Sequence, residues 1–208
     1  VTPSELLTSD RLGIELELEN VQNRPSMAYW DVTEDGSLRN YGAEFVLRGG
    51  MGGLELENAV EELFGWLSGG NYEANWRCST HFHVDMLDFT FDQVAKFILL
   101  YATKESELFA LSDVNRKYSN FCVPVCDSMP FHKKLMRGIK TLTRTPSLGQ
   151  KYTALNVLPL LTQGTLEYRG AGPITNREQM IAMISTLQGM KATVRASGEA
   201  TAEEFLNG

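Results

Sequence analysis

The chain has few cysteines, no excess of basic residues and no long apolar run. Its three cysteines, among 208 residues, cannot all pair with one another, which favours a reducing compartment over a disulfide framework. The net charge of −7 repels phosphate backbones, so nucleic acid is not an expected partner. The longest apolar run, residues 97–101, is far shorter than the roughly 20 residues of a membrane-spanning helix.

Two kinds of motif are also missing. Residues 1–10 lack the basic start and apolar core of a secretory signal, so we expect a cytoplasmic protein with no membrane partner. Neither a P-loop nor a Gly-x-Gly-x-x-Gly motif occurs, so phosphates would not be held by backbone alone. Hydrophobic residues at 43% and charged residues at 22% are typical of a globular protein. We expect a single domain over residues 1–208.

Alternating and periodic patterns predict about six strands. Residues 12–19 alternate strictly between aliphatic and polar side chains, which is the pattern of a strand with one buried face. Residues 80–86 alternate in the same way. Further strands are predicted from β-branched and aromatic runs bounded by turn residues; these runs are residues 28–32, 43–47, 152–158 and 165–168.

Helical periods and caps predict four helices. Residues 54–67 carry apolar side chains at helical spacing, and a capping box at Thr90-x-x-Gln93 opens a helix that runs to about residue 111. A short basic helix is predicted over residues 131–143, around His132, and a second capping box at Thr175-x-x-Glu178 opens the last helix. Because strands arrive as hairpins as well as through helices, we predict an α+β fold with a curved, largely antiparallel sheet and helices on one face. Residues 112–130 are interpreted as a lid or substrate loop.

Polar side chains share one face on three of the predicted strands. The alternation places Glu15, Glu17 and Glu19 on one side of the first strand. For that strand alone, a solvated sheet face is the simpler interpretation. The pattern recurs in His81 and His83 and again in the Glu167-x-Arg169 pair. An acidic face with imidazoles is suited to divalent cations, and its majority of oxygen ligands favours Mg²⁺ or Mn²⁺ over zinc.

The order of these motifs resembles the amidoligases, the carboxylate–amine ligases related to glutamine synthetase and glutamate–cysteine ligase. The matching segments are Gly13-x-Glu15-x-Glu17, Asp35-Gly36-Ser37, Ala43-Glu44-Phe45, Thr80-His81-x-His83-Val84 and Gly164-x-x-Glu167-x-Arg169. The resemblance implies a glutamine-synthetase-like catalytic domain that uses ATP and two or three Mg²⁺ (or Mn²⁺) ions. It also implies amide-bond formation through an acyl-phosphate intermediate, with small-molecule or peptide carboxylate and amine substrates.

The resemblance also implies roles for individual residues. Arg169, Glu167 and Glu17 would be the catalytic residues. The implied metal ligands are Glu15, Glu17, Asp35, Glu44, His81 and Glu167. The implied nucleotide contacts are His83, Lys151 and Arg169, and the implied substrate contacts are Arg116, Asn120, Tyr152 and Asn156. One departure is the segment Cys78-Ser79-Thr80, which stands where relatives tend to have glycine before the histidine pair.

Two other functions stay open at this point. Cys78, His81 and His83, with Cys122 and Cys126, could ligate zinc in a hydrolase. A catalytically silent binding or assembly protein could keep the same sheet for structure, and a homo-oligomer or a protein partner is compatible with either. The tryptophans are expected to pack in the core or at its rim rather than to stack on nucleobases.

Overall fold

A computed structural model describes residues 8–128, 151–200 and 204–205. These residues form an α+β fold in which a six-stranded antiparallel sheet packs with three α-helices. The strands are β1 (Leu12–Leu18), β2 (Trp30–Glu34), β3 (Ala43–Leu47), β4 (Thr80–Asp85), β5 (Leu155–Asn156) and β6 (Thr165–Ala171). The helices are α1 (Gly53–Leu67), α2 (Phe91–Ser112) and α3 (Arg177–Ala196). None of the helices in these ranges is long and apolar enough to cross a membrane.

The strands lie in the order β2-β3-β1-β4-β6-β5, and each pairs antiparallel with its neighbours. The register places Glu17 opposite Glu44 and Glu15 opposite His81. Directly opposed residues in an antiparallel pair project from the same face of the sheet. The pairing of His83 with Glu167, and of Glu167 with Asn156 on β5, extends this polar row across the sheet.

The other face of the sheet forms the hydrophobic core. The aliphatic side chains of β1, from Leu12 to Leu18, are almost fully buried, as are Phe82 of β4 and Tyr168 of β6. They join the apolar side chains of all three helices in one cluster. In that cluster the Trp30 indole also donates a hydrogen bond to the Ala59 carbonyl at 2.8 Å. Burial of this apolar face leaves the polar row on the opposite face of the sheet.

Helix starts and strand bounds agree with the sequence in most places. The capping box at Thr90 and Gln93 is confirmed. The second capping box is wrong by one residue, because the Asn176 side chain, not that of Thr175, accepts a hydrogen bond from the Gln179 amide at 2.9 Å. Asparagine is as good an N-cap as threonine or better. The predicted strand over residues 152–158 is reduced to the two residues of β5.

The segment after α2 is fixed to the rest of the fold. It forms two short 3₁₀ helices, Val114–Tyr118 and Val125–Asp127. The buried Glu105 carboxylate accepts a hydrogen bond from the Val125 amide at 2.7 Å, and the Gln179 amide group donates to the carbonyl at the end of α2. The predicted helix over residues 131–143, with the basic cluster around His132, lies outside the described residues.

Glu19 does not take the place that the alternation predicts for it. It follows the last residue of β1, and its side chain is fully buried. Its carboxylate accepts hydrogen bonds from the Arg77 guanidinium, from the Asn75 side chain at 2.8 Å and from the Arg39 amide at 2.9 Å. The Arg77 guanidinium lowers the pKa of Glu19 to about 2. Glu19 therefore anchors the end of β1 to the segment that precedes β4.

We expect Glu19→Gln to lower the melting temperature at pH 7 by about 5 °C or more, because it leaves a guanidinium without its partner. The Glu19 pKa is lower in the folded state than the usual 4.5, so the pair stabilises the protein above pH 4.5. That contribution is lost as the pH falls toward 2. Thermal melts of both proteins should therefore differ at pH 7 and converge near pH 2.

The matched control is Glu61→Gln, which breaks an ion pair with Arg177 at the surface and should change the melting temperature little. If Glu19→Gln had no larger effect than Glu61→Gln at pH 7, Glu19 would not be the anchor of β1.

Candidate functional site

A cavity of about 490 Å³ opens on the polar face of the sheet. Its wall combines carboxylates, cationic side chains and aromatic rings. The lining residues are Glu15, Glu17, Asp35, Ser37, Glu44, Trp76, Arg77, Ser79, His81, Arg116, Phe121, Lys151, Tyr152 and Arg169. A second cleft of about 320 Å³ shares Glu15 with the cavity and is lined by His83, Thr165 and Gly50 among others. The polar row therefore faces two spaces that share Glu15 in their walls, rather than open solvent alone.

The first metal-capable group consists of Glu15, His83 and Glu167. One ligand atom from each lies within 4.8 Å of the others. The His83 Nε2 atom is buried, makes no hydrogen bond and lies 3.2 Å from a Glu15 oxygen. Its Nδ1 atom lies 3.1 Å from the Thr165 hydroxyl, an outer contact of the kind that orients a metal-binding imidazole. A buried ring nitrogen without a hydrogen bond, aimed between two carboxylates, fits a cation ligand.

The second metal-capable group consists of Glu17, Asp35 and Glu44, whose ligand atoms also lie within 4.8 Å of one another. The cross-strand register brings Glu17 and Glu44 together. Asp35 comes from the turn after β2, where its carboxylate also accepts a hydrogen bond from the Ser37 amide at 2.8 Å. Burial, together with the charges of Glu15, Asp35 and Glu17, raises the pKa of Glu44 to about 7. The group therefore holds more negative charge than its protein neighbours neutralise.

Ser79 and His81 connect the two groups. The Ser79 hydroxyl is hydrogen-bonded to the Glu17 carboxylate and lies 2.8 Å from His81 Nε2. The other ring nitrogen, His81 Nδ1, lies 3.3 Å from Glu15 and 3.6 Å from Glu167. Both nitrogens of His81 are thus engaged within the protein. The geometry favours His83 as a metal ligand and His81 as the bridge, whereas the sequence motif gave the ligand role to His81 and a phosphate contact to His83.

The two histidines also set the charge on Glu15. Burial disfavours its carboxylate, but the contacts with His81 and His83 outweigh that effect and hold the pKa of Glu15 well below its usual range. Burial also disfavours a charged His83, and the contact with Glu15 outweighs it and raises the His83 pKa. Glu15 is consequently an ionised carboxylate at the centre of the row, in reach of both groups.

Cationic side chains approach the row from two directions. The Arg169 guanidinium pairs with Glu167, whose other oxygen accepts a hydrogen bond from the Asn156 side chain at 2.7 Å. Arg116 is buried and donates to the Trp76 carbonyl at 3.4 Å. Lys151 also lines the cavity. An anionic ligand that binds between the metal-capable groups and these side chains would be close to the positive charges of Arg169, Arg116 and Lys151.

The residues predicted to contact the substrate take different places in the structure. Tyr152 and Arg116 line the cavity. Asn156 is buried and hydrogen-bonds to Glu167 instead, so its role here is to orient a carboxylate. Asn120 is exposed and is not among the residues that line the cavity.

The cysteines do not form a metal site in the described part of the chain. No metal-capable group there includes a cysteine. The Cys78 thiol faces the Glu73 carbonyl at 3.7 Å, and the Cys122 thiol donates to the Arg116 carbonyl at 3.1 Å. Burial raises the pKa of both thiols, which disfavours the thiolate that zinc requires. Within residues 8–128 and 151–200, these cysteines and histidines therefore do not come together as a zinc ligand set.

Sequence reasoning missed Ser79 and two residues of the aromatic rim, which we define as Trp76, Phe121 and Tyr152. Ser79 lies two residues before His81, so the strand period that grouped the histidines would also have placed it on the polar face. Trp76 and Phe121 line the cavity from loops, and no periodic pattern marks loop residues. The signal for them was only the presence of large apolar side chains in polar, turn-rich segments.

Comparison with known proteins gives no independent assignment. No protein-family model matches the chain, and no curated protein is significantly similar to it.

Proposed function

We propose that this protein is an ATP- and Mg²⁺-dependent carboxylate–amine ligase of the amidoligase type, built on a glutamine-synthetase-like catalytic sheet. The observation that carries the proposal is the pair of three-ligand groups side by side on one sheet face, one of which contains a buried imidazole nitrogen without a hydrogen bond. Two neighbouring groups of this kind suit the binding of a nucleoside triphosphate together with its divalent cations.

The ligand chemistry favours magnesium. Five of the six residues in the two groups are carboxylates and one is a histidine, and oxygen-rich sets of this kind select Mg²⁺ or Mn²⁺. Glu15, His83 and Glu167 would hold one ion, and Glu17, Asp35 and Glu44 the other. When bound, the ions supply positive charge that screens the phosphates against the attacking carboxylate.

The protein's own groups position the reactants. A substrate carboxylate oxygen attacks the γ-phosphorus, the bond to the β-phosphate oxygen breaks and ADP leaves. The amine then attacks the acyl carbon, phosphate departs and the nitrogen gives up a proton. Arg169 lies beside Glu167 at the edge of the cavity, where its guanidinium would stabilise charge on the transferred phosphoryl group. Lys151 and Arg116 would hold the anionic substrate from the other side.

Glu17→Gln should abolish Mg²⁺-dependent release of ADP in the presence of candidate acids and amines, because an amide oxygen is a much weaker cation ligand than a carboxylate. We expect a loss of at least about 100-fold, the scale on which positioning and electrostatic contacts act in phosphoryl transfer. The measurement is a coupled ADP assay, with mass spectrometry of the products to identify the amide.

The matched control is Glu107→Gln, which changes an exposed carboxylate on α2 that pairs with Lys104. It should leave ADP release unchanged. Equal rates for the wild type and Glu17→Gln, with both proteins folded, would remove Glu17 from the metal site. Wild-type protein that neither releases ADP nor is stabilised by ATP with Mg²⁺ would favour a silent binding protein instead.

Glu44→Gln should make the metal-free protein more stable at pH 8. The Glu44 pKa of about 7 lies above the usual 4.5, so the folded protein loses stability as the pH rises through this interval and an uncompensated charge forms. We expect the variant to melt about 2 °C or more above the wild type at pH 8 and to match it near pH 4.5. Differential scanning calorimetry with a chelator present measures this.

Addition of Mg²⁺ should reverse the order, because the ion neutralises the wild-type group and binds the variant less well. A variant that melts below the wild type at pH 8 without metal would show that Glu44 carries a structural contact rather than an unneutralised charge.

A further inference from the structure

Three aromatic rings line the cavity and are exposed to solvent to different degrees. The exposed fractions are 74% for Trp76, 60% for Phe121 and 37% for Tyr152, and all three line the cavity. Phe121 and Tyr152 pack edge to face, with ring centroids 6.0 Å apart. Large exposed apolar groups gathered at one cavity are typical of a ligand-binding surface.

A buried cation, Arg116, lies next to these rings, and no carboxylate of the described residues pairs with it. Arg116 is only 8% exposed, and its Nε atom is buried with no hydrogen-bond partner. Its Nη1 atom donates one long hydrogen bond, at 3.4 Å, to the Trp76 carbonyl. Within the described ranges no carboxylate lies at ion-pair distance from it, whereas Arg77 pairs with Glu19 and Arg169 pairs with Glu167.

A buried guanidinium without a counter-charge is unfavourable unless an anion binds there. The backbone contact with Trp76, and the short chain segment that joins Arg116 to Phe121, place that anion site beside the aromatic rim. The cavity volume of about 490 Å³ is in the range of sites for small molecules, roughly 300 to 1,000 Å³. The positive charge of Arg116 and the neighbouring aromatic rings therefore suit a ligand that has an anionic end and a flat apolar part.

We propose that the cavity binds an aromatic carboxylic acid, its carboxylate on Arg116 and its ring against Trp76 and the Phe121–Tyr152 pair. An amino acid or a peptide end with an aromatic side chain has this chemistry. Binding of this acid does not depend on the proposed function. Its role as the substrate that is ligated rests on that proposed function. Ring stacking supplies affinity at a rim, and the guanidinium supplies the preference for a carboxylate.

The test is isothermal titration calorimetry without nucleotide or metal, with N-acetyl-tryptophan as the probe. We expect it to bind at least 10-fold more tightly than N-acetyl-alanine, which lacks the ring, and than N-acetyl-tryptophan amide, which lacks the charge. The acid–amide pair tests Arg116 without a substitution in a buried position. Equal affinities across either pair of probes would overturn the proposal.

Trp76→Ala should weaken binding of N-acetyl-tryptophan about 10-fold and leave N-acetyl-alanine unchanged. Tyr118→Ala is the matched control, because Tyr118 is also exposed, at 77%, but does not line the cavity; this variant should bind like the wild type. A loss of the same size in both variants would contradict the assignment of the rim.

Three further outcomes separate this inference from the proposed ligase. Displacement of N-acetyl-tryptophan by adenosine in the absence of metal would show that the rim stacks a nucleobase, which overturns the aromatic-acid assignment. Magnesium-dependent ADP release with no preference for aromatic acids would overturn the same assignment but leave the ligase in place. Binding of N-acetyl-tryptophan as expected, without ADP release under any condition, would support the aromatic-acid site and contradict the ligase.

Discussion

The register of β1 against its two neighbours is the constraint on which the candidate site depends. Side chains alternate between the two faces of a strand, so a slip of one residue would exchange the buried aliphatic face of β1 for its carboxylates. The aliphatic side chains between Leu12 and Leu18 prevent that slip because they fill the core. With the register fixed, Glu17 meets Glu44 and Glu15 meets His81. Packing on one face thus determines the chemistry on the other.

The cavity contains both negative and positive groups that lack a partner of opposite charge among the described residues. Burial and the charges of the neighbouring carboxylates raise the pKa of Glu44 to about 7. Arg116 is buried where no described carboxylate balances it. Electrostatic imbalance of both signs in one cavity would reduce stability unless ligands restore neutrality. Divalent cations on the carboxylates and an anionic substrate on the arginine would together do so.

The sequence predicted what depends on periodicity. Alternation in the sequence alone predicts β1 and β4, and it places Glu15, Glu17, His81 and His83 on the polar face. The prediction failed for Glu19, because β1 ends at Leu18 and the Arg77 guanidinium, from another segment, pairs with that buried carboxylate. Periodicity describes a strand only as far as the strand continues.

What depends on contacts between distant segments could not be predicted. Whether His81 or His83 carries the free ring nitrogen is decided by Ser79 on one side and Thr165 on the other, and a sequence pattern holds no such information. The same is true of Asn156, which contacts Glu167 rather than lining the cavity. The aromatic rim comes from two loops and the approach to β5, where neither helical nor strand period applies.

The central claim is that one face of this sheet holds two neighbouring cation sites, and a titration with Mn²⁺ followed by electron paramagnetic resonance tests it most directly. The account predicts two Mn²⁺ ions per chain, with spectral broadening from interaction between neighbouring ions when both sites are filled. It also predicts that His83→Ala and Glu44→Gln each remove one ion. Binding of no Mn²⁺, or of ions whose number neither substitution changes, would contradict it.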